Sequence, residues 1–155
     1  MPHSAAFLHA HVVFCVKYRL PWIQEDRAEQ LYDFMGTLLL NKDCRLLEIN
    51  GVEDHVYLLI NFHPIQAPSK VIGHLKSNSS RFAKELFNQE SFTWQRGYGA
   101  FSVSYSQIQT VRRYIQNQKE HHRRVSFSDE MRKLCEAHGF EPDERFLKGE
   151  PAHDP

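Results

Sequence analysis

The sequence predicts an α+β protein of the ferredoxin-like split βαββαβ kind: an antiparallel sheet with both helices on one face, followed by an extra C-terminal helix. Three observations carry this. First, β-branched and aromatic runs alternate with amphipathic stretches in the order strand, helix, strand, strand, helix, strand. Second, only Gly51 and a few residues separate the second strand from the third, too short a stretch for a helix. Third, the 155 residues show no internal repeat, and they suffice for one compact domain with a short appendage.

The first strand is H-A-H-V-V-F-C-V, His9 to Val16, a β-branched and aromatic run ended by Pro21. From Glu25 to Leu40 the apolar residues Leu31, Phe34, Met35, Leu38 and Leu39 recur at spacings of three and four, building one helix face. Arg45 to Asn50 reads as the second strand, Gly51 as a turn or bulge, and His55 to Phe62 as the third strand. Ser69 is placed to cap a helix running to about Phe87, with Val71, Ile72, Leu75, Phe82 and Leu86 as its apolar side. Phe92 to Tyr105 holds short β-prone pieces around Gly97 and Gly99. Ser106 is a cap for a helix from Gln107 to about His122, striped by Ile108, Val111 and Ile115. A last short helix is expected from Ser128 to His138, closed by Gly139, and the chain after Phe146 is expected to be loose.

Composition narrows the function classes. Lysine plus arginine equals aspartate plus glutamate at 19 each, so net charge offers no general case for nucleic-acid binding. Local clustering does: Arg112, Arg113, Lys119, Arg123 and Arg124 lie close together with only Glu120 opposing. No apolar run approaches the roughly 20 residues of a membrane span. The N-terminal residues do not read as a signal peptide. Cys15, Cys44 and Cys135 are odd in number and widely spaced, which suggests neither a disulfide framework nor a zinc knuckle and fits a reducing cytoplasm.

Two constellations could carry chemistry. On a strand, residues two apart share a face, so His55 and Tyr57 point the same way, joined by Glu53 if the strand starts that early. A histidine pair at that spacing makes half a metal site; here the second member is tyrosine, and on these residues alone a half-buried strand with a hydrogen-bonded His and Tyr is the favoured reading. In V-R-R-Y-I-Q-N-Q-K-E-H-H, Tyr114 and Gln118 stand one helical turn apart, with His121 or His122 a turn further. A tyrosine oxygen can attack a phosphodiester and form a covalent intermediate, given a metal to polarise the phosphate. An amphipathic helix with Tyr at the core edge is the plain alternative. His9 and His11 form a second His-x-His pair. Lys17, Tyr18, Arg19, Lys76, Arg81, Trp94, Arg96, Arg112 and Arg113 are basic and aromatic residues suited to phosphates and unpaired bases.

Four ordered motifs carry a resemblance: V-V-F-C-V-K-Y-R, then I-N-G-V-E-D-H-V-Y-L-L-I, then H-L-K-S-N-S-S-R, then G-Y-G-A-F-S-V-S with V-R-R-Y-I-Q-N-Q-K-E-H-H. In these the chain resembles the HUH-type single-tyrosine transposases of the insertion-sequence 200/605 kind, which move as single-stranded DNA. The resemblance implies one transposase domain at 1–147 (core about 9–105, tyrosine helix about 106–122, C-terminal helix about 128–139) and a loose tail at 148–155. It implies cleavage and rejoining of hairpin-ended single-stranded DNA through a 5′-phosphotyrosine in a bacterial or archaeal cytoplasm. It implies Mg²⁺ or Mn²⁺, and an obligate homodimer whose sites take the metal-binding histidines from one subunit and the tyrosine helix from the other. Tyr114 maps to the nucleophile, His55 and Gln118 to metal ligands, and Tyr57 to the second histidine of the motif.

Tyr57 departs from that pattern. A phenol with a pKa of about 10 is mostly protonated at neutral pH and is a poor ligand. Three outcomes follow. His55, Gln118 and water could hold the ion; Glu53 could substitute as a hard anionic ligand; or the metal is lost, leaving a catalytically weakened or domesticated single-stranded-DNA-binding relative.

Overall fold

The computed structural model describes residues 4–148. Four strands form one antiparallel sheet: β1 (His9–Cys15), β2 (Arg45–Val52), β3 (His55–Asn61) and β4 (Gly99–Val103), in the order β2-β3-β1-β4. Helix α1 (Ala28–Leu40) joins β1 to β2, and α2 (Pro68–Leu86) joins β3 to β4. The predicted βαββαβ order is therefore the observed one.

Strand alternation sorts the sheet's two faces. Val12, Phe14, Val56, Leu58 and Ile60 point to one side and are fully buried under α1 and α2, against Leu31, Met35, Ile72 and Leu75. Each such side chain removed from water contributes about 1.5–3 kcal/mol. Phe34 and Phe82 stack at 4.2 Å between the two helices. The opposite face carries Val13, Cys15, Tyr57 and Leu59, covered by the chain that follows β4. That cover is α3 (Ile108–Gln116), α4 (Gln118–His121), α5 (Phe127–Ala137) and α6 (Glu144–Lys148). Both faces are thus clothed, the second by the C-terminal helices.

Several boundaries differ from the sequence reading. Gly51 is not the turn: β2 runs on through Val52, and Glu53–Asp54 alone connect it to β3. Gly51 is instead a close approach, where a Cβ would run into the His55 carbonyl oxygen and the Tyr32 hydroxyl. The irregularity in β2 lies at Leu47, between the pairs Leu46–Ile60 and Glu48–Leu59. Helix α2 begins at Pro68 with Ala67 as cap, a position where proline's missing N–H costs nothing. Helix α5 starts at Phe127 rather than Ser128, and Ser126 caps it, accepting a hydrogen bond from the Asp129 N–H at 3.2 Å.

The predicted tyrosine helix is broken. Ser104–Gln107 form a tight turn before α3, and Asn117 (φ −95°, ψ 15°) leaves helical geometry between α3 and α4. The chain near Phe146 is ordered rather than loose: α6 buries Leu147, whose carbonyl accepts from the Ser128 hydroxyl at 3.0 Å. The tail expected at 148–155 lies, from residue 149, outside the described residues.

Candidate functional site

The site is built on the sheet face opposite α1 and α2. The two-residue hairpin Glu53–Asp54 sets its edge. Its carbonyls accept from the Ile23 N–H at 2.9 Å and the Val16 N–H at 2.8 Å, so two other segments pin the turn. Because β3 starts at His55, the condition for Glu53 to join the His55–Tyr57 face is not met; Glu53 is exposed in the turn. The acid that reaches His55 is its neighbour, with Asp54 Oδ1 2.6 Å from His55 Nδ1. Burial pushes the Asp54 carboxyl up, but the bond and charge of His55, with Arg19 and His122, outweigh it and leave it lowered.

From His55 a buried polar chain crosses the face. His55 Nε2 stands 3.0 Å from His122 Nε2. His122 Nε2 also lies 2.7 Å from Glu130 Oε2 and 3.3 Å from the Tyr57 hydroxyl. The Tyr57 O–H donates to Glu130 Oε2 at 2.6 Å. His121 Nε2 is 3.4 Å from Glu130 Oε1. Burial, then the Glu130 charge, pushes the Tyr57 phenol well above its ordinary range, which keeps it a protonated donor. Burial pushes Glu130 up to about 7, against the downward pull of the Tyr57 hydrogen bond. Burial holds His122 down to about 4, with His55 and His121 adding to the effect.

Tyr114 and Gln118 reach the same face of the same chain. Asn50 of β2 docks the end of α3, donating from Nδ2 to the carbonyls of Ile115 and Gln116, both at 3.0 Å. The Tyr114 ring lies edge-on to those of His11 (5.8 Å) and Tyr57 (6.1 Å) and 5.3 Å from His121. Gln118 is fully buried, although it opens α4 rather than continuing the helix of Tyr114. Its Nε2 donates to the Tyr114 carbonyl at 3.1 Å and lies 3.5 Å from Glu130 Oε1, while its Oε1 has no partner. Tyr114, His11, His121 and Glu130 border a cleft of about 270 Å³. A second cleft of about 520 Å³ opens on His55 and His122 and is edged by Arg19, Lys119 and Arg123.

The residues expected to touch DNA divide. Arg19 lies over the Phe127 ring at 4.2 Å, beside the larger cleft, in a left-handed backbone turn with Tyr18. Lys17 sits 5.3 Å from the Tyr18 ring. Lys76 is instead a structural tie, donating to the carbonyls of Gln95 at 2.6 Å and Gly97 at 2.7 Å. Arg112 pairs with Glu48 at 3.3 Å; Arg81, Arg96 and Arg113 are exposed. His9 bonds Asn61 at 3.2 Å, away from His11, which is buried beside Tyr57. The residues that sequence reasoning missed are Asp54 and Glu130, and it gave His122 no definite part. The His121–His122 pair after Tyr114 and Gln118 was the available signal; Glu130 had none.

No helix among the described residues is long and apolar enough to cross a membrane. The family model "Transposase IS200 like" matches residues 4–118. The IS200 transposase of Salmonella typhimurium is 28% identical over 116 residues, covering 71% of this chain and 76% of that protein. The ISDra2 transposase TnpA of Deinococcus radiodurans is 25% identical over 119 residues, 73% of this chain and 85% of that one. Among solved structures, a Deinococcus radiodurans chain described as a transposase shares the fold with a TM-score of 0.62 at 22% identity, over 75% of this chain and 94% of that one. A REP-associated tyrosine transposase bound to a REP hairpin matches with a TM-score of 0.59 at 11% identity, over 98% of both chains, C-terminal helices included. With three quarters of its length matched by the family model, the chain belongs to the IS200-like transposases.

Proposed function

We propose that this transposase cleaves and rejoins hairpin-ended single-stranded DNA through a 5′-phosphotyrosine on Tyr114, with the whole site built from one chain. The observation that carries this is the convergence of Tyr114, Gln118, His55 and the His122–Glu130 pair on one face of one sheet. The relative bound to a REP hairpin supports a hairpin as the DNA form. The homodimer with shared sites that the resemblance implies is not needed to complete this constellation, since the tyrosine helix docks on its own β2 through Asn50.

In the reaction, the Tyr114 oxygen attacks the scissile phosphorus. The bond from phosphorus to the 3′ oxygen breaks, a free 3′-hydroxyl leaves, and the phosphate stays on Tyr114 as an ester. That ester preserves the bond energy for the reverse attack by another 3′-hydroxyl, so rejoining needs no external energy source. His121, whose ring is 5.3 Å from that of Tyr114, is placed to take the phenolic proton. Arg19, Lys119 and Arg123 are placed to attract the DNA backbone to the larger cleft. His55 and Gln118 fit a divalent cation: one imidazole nitrogen of His55 is fixed by Asp54, and the buried Gln118 Oε1 has no partner. Such an ion, Mg²⁺ or Mn²⁺, would polarise the phosphate oxygens and offset the charge developing on them.

The test is to incubate the protein with hairpin single-stranded DNA and Mn²⁺ and look for a denaturation-resistant adduct. Wild type is expected to form it and Tyr114→Phe to lose it; an adduct that survives this change overturns the nucleophile assignment. A second reading rests on Tyr57, whose hydroxyl bonds Glu130 where the family motif has a ligand: a DNA-binding relative without turnover. In that reading Tyr57→His restores cleavage that wild type lacks.

A further inference from the structure

We infer that the rings of Phe7, His9 and Tyr105, flanked by Arg45 and Arg112, form a stacking platform for the unpaired bases of the single strand adjoining the hairpin. This rests on the reading above that single-stranded DNA is the substrate. The platform stands at the opposite end of the sheet from the Glu53–Asp54 turn.

The rings come together through strand register. His9 opens β1, paired with Asn61 of β3 on one side and Val103 of β4 on the other. Phe7 lies two residues before His9, and the two ring centroids are 4.0 Å apart. Tyr105, two residues past Val103, meets Phe7 edge-on at 5.7 Å. Neither end of this row is core packing: Phe7 is 47% exposed and Tyr105 80%. Aromatic rings held against one another in water present flat faces for a further partner, and every unpaired base has a π-face to offer. The bases of a duplex stem are already stacked on each other, so the row favours single strands.

The charge beside the rings suits a DNA backbone. Phe7, His9, Arg45, Asn61 and Arg112 line a cleft of about 470 Å³. Arg45 is exposed at the start of β2. Arg112 donates from Nε to Glu48 Oε2 at 3.3 Å, which leaves the terminal nitrogens of its fork for phosphate oxygens. His9 Nε2 is 3.2 Å from Asn61 Nδ2, whereas His9 Nδ1 is buried and has no partner. A polar atom so placed is costly until a ligand or water meets it.

The platform is also continuous with the nucleophile. His9 and His11 are two apart on β1, share a sheet face and stand roughly 7 Å from each other along the strand. The His11 ring lies edge-on to that of Tyr114 at 5.8 Å, and Arg112 precedes Tyr114 by two residues on α3. A strand with its scissile phosphate at Tyr114 brings its neighbouring bases within reach of the rings.

The experiment is fluorescence anisotropy of two labelled probes titrated with the full chain: a blunt DNA hairpin, and the same hairpin with about ten thymidines on each side. Wild type is expected to bind the flanked probe more tightly. Tyr105→Ala and Phe7→Ala should each weaken the flanked probe by about tenfold and leave the blunt one within roughly twofold. Tyr105→Phe, which keeps the ring, should match wild type. Arg45→Gln should lower the slope of log affinity on log salt by about 0.7, the share of one phosphate on a single strand. Equal affinity of wild type for both probes overturns the inference. So does Tyr105→Ala binding the flanked probe as wild type does, or losing both probes alike. If Phe7→Ala fails to fold, Tyr105→Ala, with a melting temperature matching wild type, carries the same test. A second copy of the chain seated on the rings would show as a concentration-dependent mass that Tyr105→Ala lowers with DNA affinity unchanged, which also overturns the platform. The covalent-adduct assay separates this from the proposed function: an adduct on Tyr114 with flank affinity indifferent to Phe7 and Tyr105 sinks only the platform. Flank affinity that falls with the rings, but no adduct, sinks only the nucleophile.

Discussion

The two faces of β3 differ as much as neighbouring residues can. Val56, Leu58 and Ile60 enter a core of aliphatic and aromatic side chains, while His55 and Tyr57 enter a network that ends in a buried carboxylate. Both faces are equally dry. The apolar face gains by removing hydrocarbon from water; the polar face must satisfy every donor and acceptor or lose by the same burial. One strand thus couples a source of stability to a candidate site that draws on it, and the polar face leaves His11 Nε2 and Gln118 Oε1 without a partner.

Substitutions can break that comparison. The largest effect is expected on the apolar face: Leu58→Ala, at a fully buried position, should lower stability by about 2–5 kcal/mol in urea unfolding. The folded fraction should still bind Mn²⁺ as wild type does. A smaller loss, about 1–3 kcal/mol, is expected for Tyr57→Phe, which leaves Glu130 Oε2 short of a donor. Equal losses at both positions in matched melts would show that the hydroxyl contributes as much as a leucine and that the two faces do not differ in this respect. Asn50→Ala removes two hydrogen bonds and should cost about 1–2 kcal/mol. It should lower adduct yield further than that stability loss explains, because it frees the end of the Tyr114 helix; yield tracking stability alone would deny Asn50 that role.

The smallest effect concerns pH. Burial, with His138 adding to it, holds His11 down to about 4 from an ordinary 6.5. Its contribution is full above pH 6.5 and lost as pH falls toward 4, because the unfolded chain takes up the proton first. Glu130, pushed by burial to about 7 from 4.5, runs the other way: full below pH 4.5 and lost as pH rises through 7. The slopes oppose each other between these limits. Glu130→Gln removes one of them, so its melting temperature should fall more steeply than that of wild type between pH 6.5 and 4. Parallel curves would show that folding leaves the Glu130 pKa where the unfolded chain has it.

The fold was readable because alternation and helical periodicity are local: β1, α1, β3 and α2 follow from their own residues. That His55, Tyr114 and Gln118 would come together on one face was readable because motif order carried it. What was not readable depends on chain reversal. His122 and Glu130 meet Tyr57 only because the chain turns at residues 123–126 and sends α5 back over the sheet. Asn117 sits inside an unbroken periodic pattern, so nothing in the spacing of Ile108, Val111 and Ile115 announces the break after Gln116. Asp54 was hidden because a two-residue turn, which strand spacing does not announce, gives that carboxylate its reach.

The break at Asn117 divides mechanical duties. On one side lies a helix carrying Tyr114, fastened to β2 by Asn50; on the other, a short segment carrying Gln118 and the two histidines. A continuous helix would tie the position of Tyr114 to that of His122 through a fixed rotation per residue. With a joint between them, the Tyr114 hydroxyl and the Gln118–His122 segment can be adjusted one at a time, so a drift at one end of the candidate site is corrected without rebuilding the other.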